Sequence, residues 1–298
     1  MIISEILEFL RGEGISFTFT GDETATVEGF SSLGHYKRGS FTWIKKQGNI
    51  PEGFDLSRLA LVFTSEDVDA RPAPNVIRTV ESKRAFFSAM EHFYAQEEEM
   101  PAVGQFTYIS PKVKLGKNVR IGHNCTLDGD ISIGDGTVIW NNVVIVNRVS
   151  IGKNCEIQSG TIIGHDGFGY TEDASHIKTM VSHFGGVVIG DRVRLGMSNV
   201  IARGIIDDTV IGDGTKFSDL CHIGHNNRIG QNCTIINTAV FGSCDIGDNA
   251  YIVYSVIKNQ SRIGAGAFVG MSSNVIRDVP PGVTVVGNPA RPLVKGGL

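Results

Sequence analysis

Two histidines, His222 and His225, flank one isoleucine in the stretch CHIGHNNRIG, with Asp219 and Asn226 close by. An imidazole with its ordinary pKa of about 6.5 can take or give a proton at neutral pH, so either ring suits general acid–base chemistry. His123, His165 and His225 share one placing, two residues after an aliphatic residue of a regular series. Zinc chemistry is a second reading. It needs His222 and His225 to converge with His123 or His165 of a neighbouring chain, leaving one coordination position open. No acidic general base is paired with these rings, and for His123 a solvated corner histidine fits equally well. No Ser or Cys stands out as a nucleophile.

The scaffold that must hold these rings is written as a step of six. Leu115, Ile121, Leu127, Ile133, Ile139 and Ile145 open the series, and it resumes at Ile189, Ile211 and Ile263 after interruptions. Six residues match neither the 3.6-residue period of a helix nor the alternation of a hairpin. They match a chain that turns after each short strand, so that three sides make one coil and successive coils stack about 4.8 Å apart. The expected fold is mainly β: a left-handed parallel β-helix of hexapeptide repeats over residues 101–278. A Gly after the aliphatic suits the crowded corner. Cys125, Cys155, Cys221, Cys233 and Cys244 each lie four residues after a hydrophobic residue of the series or its continuation, in a slot held elsewhere by small residues such as Val119, Thr137, Val143, Thr161 and Thr215. They read as small core residues.

A perfect solenoid has no place for chemistry, so its breaks matter. The series stops between Ile163 and Ile189 for a Gly- and aromatic-rich excursion that includes Phe168 and Tyr170. From Ile201 to Ile211 the step is ten, and Ile229, Ile246 and Ile263 are spaced by seventeen rather than eighteen. Residues 1–100 lack the series and read as a small α/β nucleotide-binding domain. Ile3, Ile6, Leu7 and Leu10 mark a short helix. Strand-like runs follow, ISFTF, TVEGF, GSFTWI, LALVFT and NVIRTV, then a second helix capped by Ser82 with Phe86, Phe87 and Met90 on its apolar face. Residues 279–298, rich in proline, form a tail.

The composition sets outer limits. The net charge is −4 over 298 residues, which offers no basic surface for nucleic acid. No apolar run of about 18 residues exists to span a membrane, and the first residues lack the order of a signal peptide. A cytoplasmic protein is expected.

At QSGTIIGHDGFGY, IARGIIDDTVIGDG and CHIGHNNRIG, the sequence resembles the UDP-3-O-acylglucosamine N-acyltransferase family of lipid A biosynthesis. GSFTWI in the first domain and WNNVVI in the coils extend the resemblance over nearly the whole chain. It implies a homotrimer with active sites between adjacent β-helices, a thioester donor (acyl-coenzyme A or acyl carrier protein), and the amino group of a nucleotide-linked sugar as acceptor. It implies His225 as general base and Gly242 as the backbone donor to the tetrahedral oxyanion. Phe41 stacks on the pyrimidine by the same match, although Phe41 and Trp43, alternating with Thr42, equally suit a domain core. Asp219, His222, Asn226, Phe168 and Tyr170 are further expected substrate contacts. Ser243, Asn259, Gln260, Met271 and Gly287 are expected on the donor side. No permanently bound cofactor or metal is implied.

The resemblance has gaps. The coil IVYSVIKNQSRIG lacks the family's second histidine, Ser218 stands where an acid is expected, and a tyrosine is missing near Lys46 and Gln47. The ending VVGNPARPL resembles sugar acetyltransferases that use coenzyme A, without the helical extension that engages acyl carrier protein. An N-acyltransferase of a UDP- or dTDP-linked amino sugar using a coenzyme A thioester fits these differences, and the family activity proper is the alternative. A zinc hydratase and a non-catalytic assembly solenoid are the remoter readings.

Overall fold

The computed structural model describes residues 1–95 and 100–292. The chain divides into two compact units, Met1–Glu98 and Glu99–Leu298. The last part of the expected tail, residues 293–298, lies outside the described residues.

In the first unit all five strand-like runs become strands: β1 (Thr18–Thr20), β2 (Gly29–Phe30), β3 (Ser40–Ile44), β4 (Leu61–Thr64) and β5 (Val76–Arg78). Their order is β1-β5-β4-β3-β2, parallel except for β1. The central strands are buried on both faces, which is why LALVFT reads as an unbroken apolar run. Helix α1 (Ile3–Gly12) buries Ile3, Ile6, Leu7 and Leu10, spaced to fall on one face.

Helix α2 spans Ser82–Tyr94, and here two expectations are corrected. Ser82 is the first helical residue rather than the cap, and its hydroxyl accepts the indole N–H of Trp43 at 3.1 Å. The buried face is Ala85, Phe86 and Ala89, while Phe87 stays exposed. Phe86 covers Phe41, which is 0 % exposed and ringed also by Phe63 and Tyr94. A side chain enclosed on every side has no face for a pyrimidine, so Phe41 is a core residue.

The second unit is a left-handed parallel β-helix. Strands two to three residues long, widened in places, stack with aliphatic on aliphatic: Ile121 on Ile139 on Ile157 along one face, Ile145 on Ile163 on Ile201 along another. Their side chains fill one continuous core. The corners show why Gly follows the aliphatic. A Cβ on Gly122 would lie 2.5 Å from Asn141 Oδ1 and 2.8 Å from its backbone nitrogen, so the coils approach too closely for any side chain. Two residues on, Asn takes the left-handed backbone conformation at Asn118, Asn124, Asn142 and Asn154, a conformation its short polar side chain tolerates.

An Asp or Asn one coil on commonly closes the corner. Asp135 Oδ1 accepts Lys117 N–H at 2.8 Å, Asp219 Oδ1 accepts Met197 N–H at 2.7 Å, and Asp248 Oδ1 accepts Gln231 N–H at 2.8 Å. Asp219, expected as a substrate contact, therefore has a structural task as well. One oxygen of this carboxylate ties one coil to the next, and the residue itself is exposed outside both hollows described below.

All five cysteines are free and buried. Burial raises each thiol above its ordinary pKa, because the thiolate would lose its hydration. Since the thiolate is the reactive form, the native protein is expected to resist a thiol reagent at neutral pH and to take up five equivalents once denatured. Rapid native labelling would contradict the packing described.

Candidate active site

The breaks in the six-residue series converge on His225. The excursion leaves the coil after His165, forms a hairpin of Tyr170–Glu172 with Lys178–Met180, and returns through His183 to Val187. Backbone bonds stitch its return to the ten-residue bulge: Phe184 N–H to Ile205 O at 2.7 Å and Gly185 N–H to Gly204 O at 3.0 Å. Arg203, in the bulge, pairs with Asp166 at 2.6 Å and donates to the carbonyl of His183.

The bulge also fixes Asn226. Its Oδ1 accepts the N–H of Ile205 at 2.9 Å, and its Nδ2 donates to Asp207 O at 3.1 Å. These two main-chain partners decide which end of the amide is oxygen. His225 Nδ1 lies 3.0 Å from the same Oδ1. An oxygen can only accept, so the hydrogen bond requires the proton on Nδ1. Nε2 then keeps its lone pair, the tautomer a general base needs.

Nε2 faces Gly242. A Cβ there would stand 2.7 Å from Cε1 and 2.8 Å from Nε2 of His225, so the ring occupies the space that glycine leaves. Among the described residues no group accepts the Gly242 N–H. Asn259, which stands where the corner-closing Asx would be, lines the adjoining groove instead. An unclaimed amide beside an imidazole lone pair offers a hydrogen-bond donor for a developing oxyanion next to an acceptor for a proton.

That groove holds about 340 Å³ and is walled by Phe168, His222, His225, Gly242, Ser243 and Gln260, with Asn259. A second hollow of about 450 Å³ lies on the other side of His222, walled by Asn237, Thr238, Tyr254, Ser272 and Asn274. The seventeen-residue coils account for it. Ile235 to Val240 and Ile252 to Ile257 are steps of five, and the shortened corners at Asn237 and Tyr254 are its walls.

His222 thus stands between both hollows, its ring edge-on to Phe241. Desolvation first, and His165 nearby second, push it below the ordinary histidine range. Tyr170 lines neither hollow; it leans on Phe168, ring centroids 4.9 Å apart. Met271 and Gly287 also line neither, and Gly287 N–H is bound to Ser273 Oγ at 3.1 Å. These three stand outside both hollows of the single chain. His123 accepts Gln105 N–H on Nδ1 at 2.8 Å, which gives it a structural task. No group of three or more His, Cys, Asp or Glu able to hold a metal occurs among the described residues.

Sequence reasoning missed His183. It is 1 % exposed, its ring centroid is 5.6 Å from that of His225, and the two planes meet at 79°. The only trace in the sequence is a histidine beside the Gly pair where the excursion rejoins the coil.

In the first unit Trp43 is half-buried and, with Phe87, walls a hollow of about 670 Å³ rimmed by Lys45, Lys83 and Arg84. No described helix is long and apolar enough to cross a membrane.

Comparison with known proteins agrees with this architecture. Residues 130–165 match the bacterial transferase hexapeptide family (six repeats), and residues 112–146 match the hexapeptide repeat of succinyl-transferase. UDP-3-O-acylglucosamine N-acyltransferase 1 of Francisella tularensis subsp. holarctica is 33% identical over 237 residues, 72% of this chain and 68% of its own length. UDP-3-O-acylglucosamine N-acyltransferase of Methylobacterium nodulans is 40% identical over 151 residues. That match takes in 50% of this chain and 42% of the relative, so the chain spans less than half the length of several such relatives. Among solved structures, LpxA of Acinetobacter baumannii has a TM-score of 0.59 at 25% identity, over 65% of this chain and 74% of that one. The UDP-N-acetylglucosamine acyltransferase of Francisella novicida has a TM-score of 0.57 at 26% identity, over 63% and 68%.

Proposed function

The chain belongs to the UDP-3-O-acylglucosamine N-acyltransferase family, and on that footing we propose that it moves an acyl group from a thioester to the amino group of a nucleotide-linked amino sugar. The observation that carries the reading is the bare Nε2 of His225 beside the unclaimed N–H of Gly242.

In the reaction, the amine nitrogen attacks the thioester carbonyl and loses its proton to His225 Nε2. The C–N bond forms, and the carbonyl oxygen takes the negative charge under the Gly242 N–H. Collapse breaks the C–S bond, and the imidazolium returns its proton to the departing sulfur. No covalent acyl-protein forms. Phe168 and His222 border the reacting groups, and Ser243, Asn259 and Gln260 line the same groove. The second hollow, lined by amide and hydroxyl side chains, suits the amide-bearing arm of a coenzyme A or carrier-protein thioester.

For the nucleotide, Trp43 takes the stacking role in place of Phe41, and Lys45, Lys83 and Arg84 in the lining of the same hollow offer positive charge to a diphosphate. A homotrimer would cover Phe168, Phe184 and Ile206, which are large, apolar and exposed in the single chain. We assign the protein to the cytoplasm, with its thioester co-substrate.

A ligand panel tests this reading: UDP- and dTDP-linked amino sugars, with coenzyme A and acyl carrier protein thioesters, read by thermal shift. At about 100 times its Kd, the right nucleotide sugar is expected to stabilise the fold by about 2.7 kcal/mol. Trp43→Ala is expected to remove most of that gain, whereas Phe41→Ala lowers unliganded stability by about 3–5 kcal/mol. A panel with no stabilising member would contradict the proposal.

A further inference from the structure

Gly167 has an ordinary backbone conformation, so its lack of a side chain is not explained by a turn. Space explains it. A Cβ there would lie 3.1 Å from both Cβ and Cδ2 of His225 and 3.2 Å from Nε2 of His183. Two imidazoles therefore close on one point, and glycine is what lets them.

The His183 ring is held in one tautomer. Its Nδ1 is 2.8 Å from Val181 O, an oxygen that can only accept, so the proton sits on Nδ1. Its Nε2 is buried and has no hydrogen-bond partner among the described residues. A proton on Nε2 would have no acceptor among the described residues, whereas Nδ1 has one in Val181 O, so in the neutral ring Nε2 is the bare nitrogen. Arg203 fixes the ring's backbone by donating to the His183 carbonyl, and its charge is answered by Asp166.

We propose that His183 is a positioning residue for His225: its bare Nε2 turns the negative end of a buried dipole toward the Cβ–Cδ2 edge of His225 and favours the imidazolium that forms when His225 takes a proton. The inference rests on the proposed role of His225 as base. A neutral imidazole gains little from this neighbour; an imidazolium, whose charge lies on Nδ1–Cε1–Nε2 and polarises the Cδ2–H as well, gains from it in a water-poor wall. The other groups around His225 do not supply the same effect. Asn226 fixes the tautomer, Asp207 faces Asn226 through its carbonyl, Asp166 and Arg203 neutralise each other, and His222 with His165 opposes a further positive charge.

The test is titration of His225 by NMR in protein labelled at histidine, which needs no substrate. In His183→Phe, which keeps the ring's bulk, the midpoint of His225 is expected to move down. In His183→Gln, whose amide oxygen can face the same edge, it is expected to stay near the parent value. The acid limb of kcat/KM follows the same order. An unmoved midpoint in a folded His183→Phe protein overturns the proposal, even if activity is lost. Should that variant not fold, the unsubstituted protein still decides: the 15N shift of His183 Nε2 must show a nitrogen without a proton, and a protonated one overturns the proposal. If the midpoint falls but no acyl transfer is found with any substrate, the dipole stands and the assigned reaction fails.

Discussion

His225→Ala is expected to lower the rate of acyl transfer by about 10²–10⁴-fold, the usual worth of a general base, with little change in melting temperature. The asymmetry comes from where the ring sits. It projects from a corner into the groove and is absent from the aliphatic core. Its loss costs the fold one side-chain hydrogen bond, to Asn226, worth about 1 kcal/mol. The reaction loses the group that takes the proton from the amine. Because the Gly242 N–H and the binding surfaces remain, KM is expected to move far less than kcat. A folded variant with the parent turnover would remove His225 from the mechanism.

Gly242→Ala separates the base from the oxyanion donor. The alanine keeps the N–H, and the backbone at 242 is not in the left-handed region, so the main chain tolerates a Cβ. That Cβ would meet Cε1 and Nε2 of His225 at 2.7 and 2.8 Å, closer than real contacts permit. The imidazole is the end of a side chain and gives way. A displacement on the order of 1 Å at the reacting atom costs about 100-fold in rate. The expected result is therefore a stable protein with kcat down about 100-fold, and structure determination of the variant should find the His225 ring turned away from residue 242. Full activity in that variant would mean that the reacting nitrogen is elsewhere.

Much of the solenoid was legible because one aliphatic per side must point to the axis, so the period survives in Ile121, Ile139 and Ile157 as plainly as in the stacked coils. The cysteine slot and the breaks in the series were legible for the same reason. What the breaks accomplish was not. The ten-residue step showed as a bulge, but only the fold brings the backbone of Ile205 and Asp207 onto Asn226. His183 sits in an aperiodic excursion whose path is set by Arg203, Asp166 and main-chain bonds to Gly204 and Ile205. No local pattern encodes that path. The structural task of Asp219 was hidden because its partner, Met197 N–H, is a coil away. Alternation put Phe41 and Trp43 on one face correctly. Which of them is enclosed depends on α2, where Phe86 covers the first and the exposed Phe87 flanks the second.

The most direct test of the proposed chemistry is mass spectrometry of the reaction of the unsubstituted protein with a nucleotide-linked amino sugar and an acyl thioester. The expected result is one acyl amide on the sugar for each thiol released, with the protein mass unchanged. Thiol released without sugar amide, or an acyl group left on the protein, would contradict direct transfer assisted by His225.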